Sequence, residues 1–230
     1  RRAPKGWSPA ALCAYVVTDD KYLHGPGICL LDKLVAAASA GATSIQLRLK
    51  SQPTADFVSL ARELRAALAQ METRPWLLID DRLDVCLVAG ADGLHVGDRD
   101  LLPADARQWL GPDRILGVST YSELARVDEA ILAGADYVAT GSLQASTTKM
   151  TSKVKGLDPI RGIRQHLLGR AGLVSIGGVN PELARDSCEA GCDGAAAVSY
   201  VLEGTTAEEV RERTSALLRG AEAGLRARGD

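Results

Sequence analysis

A phrase built on Ala-Gly-Ala-Asp recurs four times along the chain, as Ala40-Gly41-Ala42-Thr43, Ala89-Gly90-Ala91-Asp92, Ala133-Gly134-Ala135-Asp136 and Ala190-Gly191-Cys192-Asp193. Each glycine suits the left-handed position that ends a helix. Each phrase is followed by a run that reads as a short strand, at 44–47, 93–96, 137–139 and 194–198. The glycines stand 49, 44 and 57 residues apart, about twice one β/α unit, so an unmarked unit is expected between each pair. The continuously apolar runs 14–18, 76–79, 115–118 and 173–176 supply those units. Helical stretches lie between them: 54–70 with Thr54 as its N-cap, 103–110 with Pro103 in its first turn, and 122–133.

Strict β/α alternation, strands apolar on both faces and a length of 230 residues predict a single (β/α)8 TIM barrel with eight parallel strands. The barrel is expected over 14–220, with 1–13 as an N-terminal extension and 221–230 as a C-terminal tail. The competing architecture, an open doubly wound sheet, needs a Gly-x-Gly-x-x-Gly turn after the first strand, where this chain has Thr18-Asp19-Asp20.

Lys and Arg number 27 against 29 Asp and Glu, a formal charge of −2. No overall basic field exists to hold nucleic acid or an anionic membrane, whereas a small phosphorylated ligand needs only a few cations and backbone N–H groups. No apolar run approaches the roughly 20 residues of a membrane span. The first eleven residues carry two arginines but no apolar core of signal-peptide length, so a cytoplasmic location is expected. The odd set Cys13, Cys29, Cys86, Cys188 and Cys192 contains no Cys-x-x-Cys pair and reads as reduced, small core residues.

In such a barrel the carboxyl ends of the strands carry the chemistry. After the second strand, extended geometry puts Gln46, Arg48 and Lys50 on one face. Asp80-Asp81-Arg82 follows the third strand and His95-Val96-Gly97-Asp98-Arg99-Asp100 the fourth. Two acidic clusters on adjacent strand ends suit Mg2+, which takes oxygen ligands and keeps waters for a phosphorylated substrate; the alternative is that Asp80 or Asp81, and Asp100, cap the next helices. Ser119-Thr120 follows the fifth strand. The stretch 141–149, rich in hydroxyls and ending in Lys149, reads as a phosphate-binding lid or as a polar connection. Gly177-Gly178 and Ser199-Tyr200 close the seventh and eighth units, where phosphate sites are frequent. His95 reads as a structural histidine at the barrel mouth, and His166 falls on a helix away from it. No Ser-His-Asp or Cys-His arrangement is evident.

Six stretches, in order, resemble the motifs of thiamine-phosphate synthase: Gln46-Leu47-Arg48-Leu49-Lys50, Ile79-Asp80-Asp81-Arg82, Gly90-Ala91-Asp92-Gly93-Leu94-His95-Val96-Gly97, Gly117-Val118-Ser119-Thr120, Ser146-Thr147-Thr148-Lys149 and Ile176-Gly177-Gly178-Val179. The resemblance spans roughly residues 14 to 203. It implies a (β/α)8 barrel that joins a hydroxymethylpyrimidine diphosphate to a thiazole phosphate and releases pyrophosphate. It further implies Mg2+ on Asp81 and Asp100, and the diphosphate on Arg48, Lys50 and Lys149. Gln46, Ser119 and Thr148, with Asp80 and Ser146 beside them, would hold the pyrimidine side and leaving group, and Gly178 and Ser199 the thiazole phosphate. Arg48, Lys50, Ser119 and Lys149 are thereby the catalytic candidates. Small phosphorylated substrates are the expected partners, with no nucleic acid and no membrane; a homodimer is left open.

The chain departs from that pattern at Asp80, where the family usually has Asn, at Asp98 (Gln), at Ser146 (Thr), and in Gly141-Ser142-Leu143-Gln144-Ala145, which lacks the family's two prolines. A carboxylate at position 80 would repel a diphosphate unless it is neutralised. Two rival readings follow: a thiazole tautomerase-like isomerase, whose motif has histidine where this chain has Ser142, and a non-catalytic barrel that senses a phosphorylated ligand.

Overall fold

A computed structural model of the protein describes residues 6–143 and 156–229. Its strands are β1 (Ala14–Val17), β2 (Ser44–Leu47), β3 (Trp76–Asp80), β4 (Gly93–Val96), β5 (Ile115–Ser119), β6 (Tyr137–Thr140), β7 (Gly172–Ile176) and β8 (Gly194–Ala197). They close into a barrel in sequence order, all neighbours parallel, with β8 returning to β1. Around it lie α1 (Leu30–Ser39), α2 (Thr54–Leu68), α3 (Leu83–Ala89), α4 (Pro103–Leu110), α5 (Leu124–Leu132), α6 (Asp158–Leu167), α7 (Pro181–Ala190), α8 (Ser199–Leu202) and α9 (Ala207–Arg228). The expected (β/α)8 TIM barrel is the fold observed.

The recurring phrase has a physical basis in two of its residues. All four glycines take the left-handed backbone, with φ of +95° at Gly41, +69° at Gly90, +75° at Gly134 and +135° at Gly191, a conformation that costs glycine little. The last residue of each phrase then ties the start of one strand to the next. Thr43 Oγ1, Asp92 Oδ2, Asp136 Oδ2 and Asp193 Oδ2 accept the N–H groups of Ala14, Leu77, Leu116 and Leu173 at 2.8–2.9 Å. Arginines neutralise the three carboxylates: Arg74 on Asp92 and Arg107 on Asp136 at 2.7 Å, and Arg164 on Asp193 at 2.6 Å. These pairs lie at the amino ends of the strands, opposite the mouth.

Successive strand residues alternate between the barrel interior and the helix shell. Tyr15, Val17, Leu78, Ile115, Tyr137, Val174 and Ala196 form the inner cluster, which Leu12 closes from below. Leu12 belongs to a 3-10 turn, Pro9–Leu12, within the expected N-terminal extension. The residues facing outward pack against the helices in the larger cluster. α9 runs unbroken across the expected boundary at 220, with Ala221 buried and Gly224 tight against the Arg185 carbonyl. Among the described residues no helix is long and apolar enough to cross a membrane.

Thr54 does not cap α2. Pro53 occupies the cap position, and Thr54 is the first helical residue, its hydroxyl accepting from Arg82 Nη2 at 2.8 Å. The capping alternative for the acidic clusters is likewise not observed: Arg82 and Leu102 stand at the caps of α3 and α4 without side-chain capping bonds.

Candidate active site

The carboxyl ends of the strands surround a cavity of about 630 Å³. Gln46, Arg48, Lys50, Asp80, Asp81, His95, Asp98, Asp100, Ser119, Gly178 and Ser199 all line it. Of the residues singled out in the sequence, Ser146, Thr148 and Lys149 lie outside the described residues.

The loop after β2 is shaped by polar side chains from the first unit. Thr18 Oγ1 accepts the Arg48 N–H at 2.7 Å, and Asp20 Oδ2 accepts that of Lys50 at 2.8 Å. The side chains then form an alternating ionic row across three strand ends. Arg48 Nη1 lies 2.7 Å from Asp19 Oδ2 and its Nε 3.4 Å from Asp80 Oδ2. Lys50 Nζ lies 3.6 Å from Asp80 Oδ2 and is also in ion-pair contact with Asp81 Oδ2. Asp80 is therefore neutralised by its neighbours and not presented bare to an anion.

Asp81 has φ of +59°, an uncommon conformation for a residue with a side chain and one concentrated at functional sites. Its N–H donates to the His95 carbonyl at 2.8 Å, which fixes this turn against β4. Asp100 lines the same cavity from the loop after β4, where one carboxylate oxygen accepts the Gly97 N–H at 2.8 Å. Asp98 accepts from the Tyr121 hydroxyl at 2.9 Å, and that bond holds its carboxyl below the usual carboxylate range. On the far side, Gly177 and Gly178 take φ of +103° and +72°, turning the chain toward Asn180, whose side chain caps α7 through Leu183 N–H at 2.8 Å. Ser199 is the first residue of α8.

The floor of the cavity is a buried hydrogen-bonded row. Gln46 Nε2 donates to the Tyr15 hydroxyl at 2.9 Å, and the Tyr15 and Tyr137 hydroxyls are 2.7 Å apart. Tyr137 Oη lies 2.9 Å from His95 Nδ1, and His95 Nε2 lies 2.9 Å from Ser119 Oγ. Gly117 makes room for the Tyr137 ring, since a Cβ there would fall 2.1 Å from its Cζ. His95 is thus hydrogen-bonded, as expected, and also lines the cavity. The two tyrosines escaped the sequence reading because each sits in a run that looks like ordinary strand core; their chemistry depends on which face of the barrel wall they occupy. His166 is remote, paired with Asp128 at 2.7 Å.

Fold and site together define a (β/α)8-barrel enzyme whose mouth carries paired acids and cations suited to phosphorylated ligands. A family model described as thiamine monophosphate synthase matches residues 14–201, and the chain belongs to that family. It is 34% identical over 203 residues to a thiamine-phosphate synthase of Pyrococcus furiosus, covering 88% of this chain and 91% of that one. A thiamine-phosphate synthase of Chloroflexus aurantiacus is 40% identical over 189 residues, covering 82% and 84%. The solved structure of a thiamine phosphate pyrophosphorylase from P. furiosus superimposes with a TM-score of 0.81 at 32% identity, over 94% of this chain and 98% of that one.

Proposed function

We propose that the cavity couples 4-amino-2-methyl-5-hydroxymethylpyrimidine diphosphate to a thiazole phosphate, hydroxyethylthiazole phosphate or its carboxylate, to give thiamine phosphate and pyrophosphate, with carbon dioxide as a further product when the carboxylate is the substrate. The carrying observation is the convergence of the ionic row, Ser119, Gly178 and Ser199 on one cavity in a chain of this family.

In this reading the bond between the methylene carbon and the diphosphate oxygen breaks, and its electron pair leaves with pyrophosphate. The aminopyrimidine ring supports the cation, and the thiazole nitrogen lone pair forms the new C–N bond. No protein nucleophile is needed. Arg48 and Lys50 stabilise charge growing on the leaving group. Gln46 and Ser119 hold the pyrimidine in line with the thiazole, whose phosphate is received by the turn at Gly178 and by Ser199. Ser146, Thr148 and Lys149 keep the roles implied by the resemblance.

Asp81 and Asp100 fit Mg2+ in the manner usual for that ion, two carboxylates with the remaining positions left to waters and phosphate oxygens. Among the described residues no group of three or more His, Cys, Asp or Glu is arranged to hold a metal, so an all-protein cage is not part of this reading. The Lys50 ammonium rests on Asp81, which supports reading this carboxylate as one that takes a positive charge. Held there, Mg2+ would supply charge neutralisation to the departing diphosphate, beside the positive charges of Arg48 and Lys50.

Ser142 lines the cavity where the tautomerase motif carries histidine, so no imidazole is offered there. The test is to supply both phosphorylated precursors with Mg2+ and follow products. Thiamine phosphate and pyrophosphate appearing in equal amounts supports the reading; no metal-dependent product sinks it, and metal-free isomerisation of the thiazole would favour the tautomerase. The reading includes a cytoplasmic setting, which cell fractionation tests, and leaves self-association to sedimentation.

A further inference from the structure

The row Gln46–Tyr15–Tyr137–His95–Ser119 joins two cavity residues through the barrel interior, and each link is a hydrogen bond of 2.7–2.9 Å. Tyr15 and Tyr137 are buried, and burial pushes both phenols well above their ordinary value, so both keep their hydrogens. A neutral imidazole offers one N–H and one lone pair. Along the four bonds of this row two proton orders leave no buried donor unmade; Gln46 also lies close to the Tyr137 hydroxyl. In the first, Gln46 Nε2 donates to Tyr15, Tyr15 to Tyr137, Tyr137 to His95 Nδ1, and His95 Nε2–H to Ser119, whose own hydrogen is left for the cavity. In the second every bond is reversed: Ser119 donates to His95 Nε2, and Tyr15 donates to Gln46 Oε1 after the amide has turned over. Mixed orders set two hydrogens or two lone pairs against each other, or strand a buried hydroxyl, at a cost of about 1–3 kcal/mol.

We propose that this row is a polarity relay that locks the two ends of the cavity into opposite hydrogen-bonding roles and so selects ligands by donor–acceptor order. In the first state Ser119 donates while Gln46 presents its carbonyl; in the second Ser119 accepts while Gln46 presents its amide N–H. A ring with a donor and an acceptor in matching places, as on an aminopyrimidine edge, selects one state. A ring of the same shape with that order inverted meets a mismatch at one end or forces the whole row over. Tyr15, Tyr137 and His95 are positioning and specificity residues, acting through Gln46 and Ser119. The ligand half of this proposal rests on the pyrimidine reading above; the proton order within the row does not.

The chain has three histidines, so the His95 imidazole can be followed by 15N NMR. In the ligand-free protein the proton is expected on Nε2. Gln46→Glu at pH 8 offers Tyr15 only an acceptor and is expected to move that proton to Nδ1, and Tyr137→Phe is expected to abolish the response. A His95 tautomer indifferent to Gln46→Glu, or a ring protonated at both nitrogens, overturns the relay whatever the ligand. For the ligand half, binding of the unreactive 4-amino-5-hydroxymethyl-2-methylpyrimidine monophosphate is compared with that of its 4-oxo analogue. The wild-type preference for the amino compound is expected to fall about tenfold in Tyr137→Phe, corresponding to about 1.4 kcal/mol. Equal weakening toward both compounds would make Tyr137 merely structural and overturn its role in selection. Wild-type protein that binds neither compound would sink the pyrimidine reading and the selection of that ligand, while the tautomer response still decides the relay.

Discussion

The Asp80 carboxylate lies 3.4 Å from Arg48 Nε, a pairing by which an acid can stand beside the proposed diphosphate site. With Lys50 also 3.6 Å away, Asp80 shares the two cations that the proposed reaction assigns to the leaving group. Asp80→Asn should release them and lower the KM for the pyrimidine diphosphate about fivefold, the effect of a partly exposed ion pair worth about 1 kcal/mol. Steady-state kinetics at fixed Mg2+ check this; a raised KM would show that Asp80 orients Arg48 and Lys50 instead of competing for them.

Asp81 and Asp100 line the same cavity from the turns after β3 and β4, and neither caps a helix. Asp81→Asn or Asp100→Asn should therefore raise the Mg2+ concentration for half-maximal turnover by roughly 10- to 150-fold, matching about 1.5–3 kcal/mol for a charged contact. Thermal melting should change little. A wild-type Mg2+ requirement in both variants would remove these carboxylates from the metal site.

Much of this was legible in the sequence because the repeat and the strand-end motifs are local. Gly41, Gly90, Gly134 and Gly191 mark helix ends through their own backbone preferences, and Gln46, Arg48 and Lys50 share a face because strand geometry has period two. What stayed hidden depends on partners distant in the chain. Asp19 reads as part of a missing glycine turn, yet it holds Arg48, 29 residues on. Tyr15 and Tyr137 are 122 residues apart and meet only because the barrel closes. Thr54 matches the preference for an N-cap, but the fixed backbone of Pro53 starts the helix one residue earlier.

The Asp136 carboxylate accepts the Leu116 N–H and pairs with Arg107 at 2.7 Å, while Arg107 also donates to the carbonyls of Gly111, Arg114 and Gly134. Removing one partner of a buried pair typically costs about 3–5 kcal/mol. Asp136→Ala should lose stability of that order in urea unfolding. Because the pair sits at the amino ends of the strands, kcat of the folded variant should stay near wild type; a large fall in kcat without loss of stability would contradict a purely structural role.

Cys13, Cys86 and Cys188 are buried, and burial pushes their thiols up from 9.0 to about 11, 12 and 12. The unfolded chain releases these protons near pH 9, whereas the folded protein keeps them, so above that value the unfolded state binds fewer protons and stability falls as pH rises. The contribution is complete below pH 9 and disappears progressively up to about pH 11–12. Each thiol should favour unfolding by up to tenfold per pH unit in that window. Urea midpoints at pH 8 and pH 10.5 test this, with Cys86→Ser as the comparison; a flat profile over the window would mean that the thiols ionise alike in both states. Cys29 is the exposed cysteine. A thiol reagent at pH 8 should accordingly label one site in the native protein and five after unfolding.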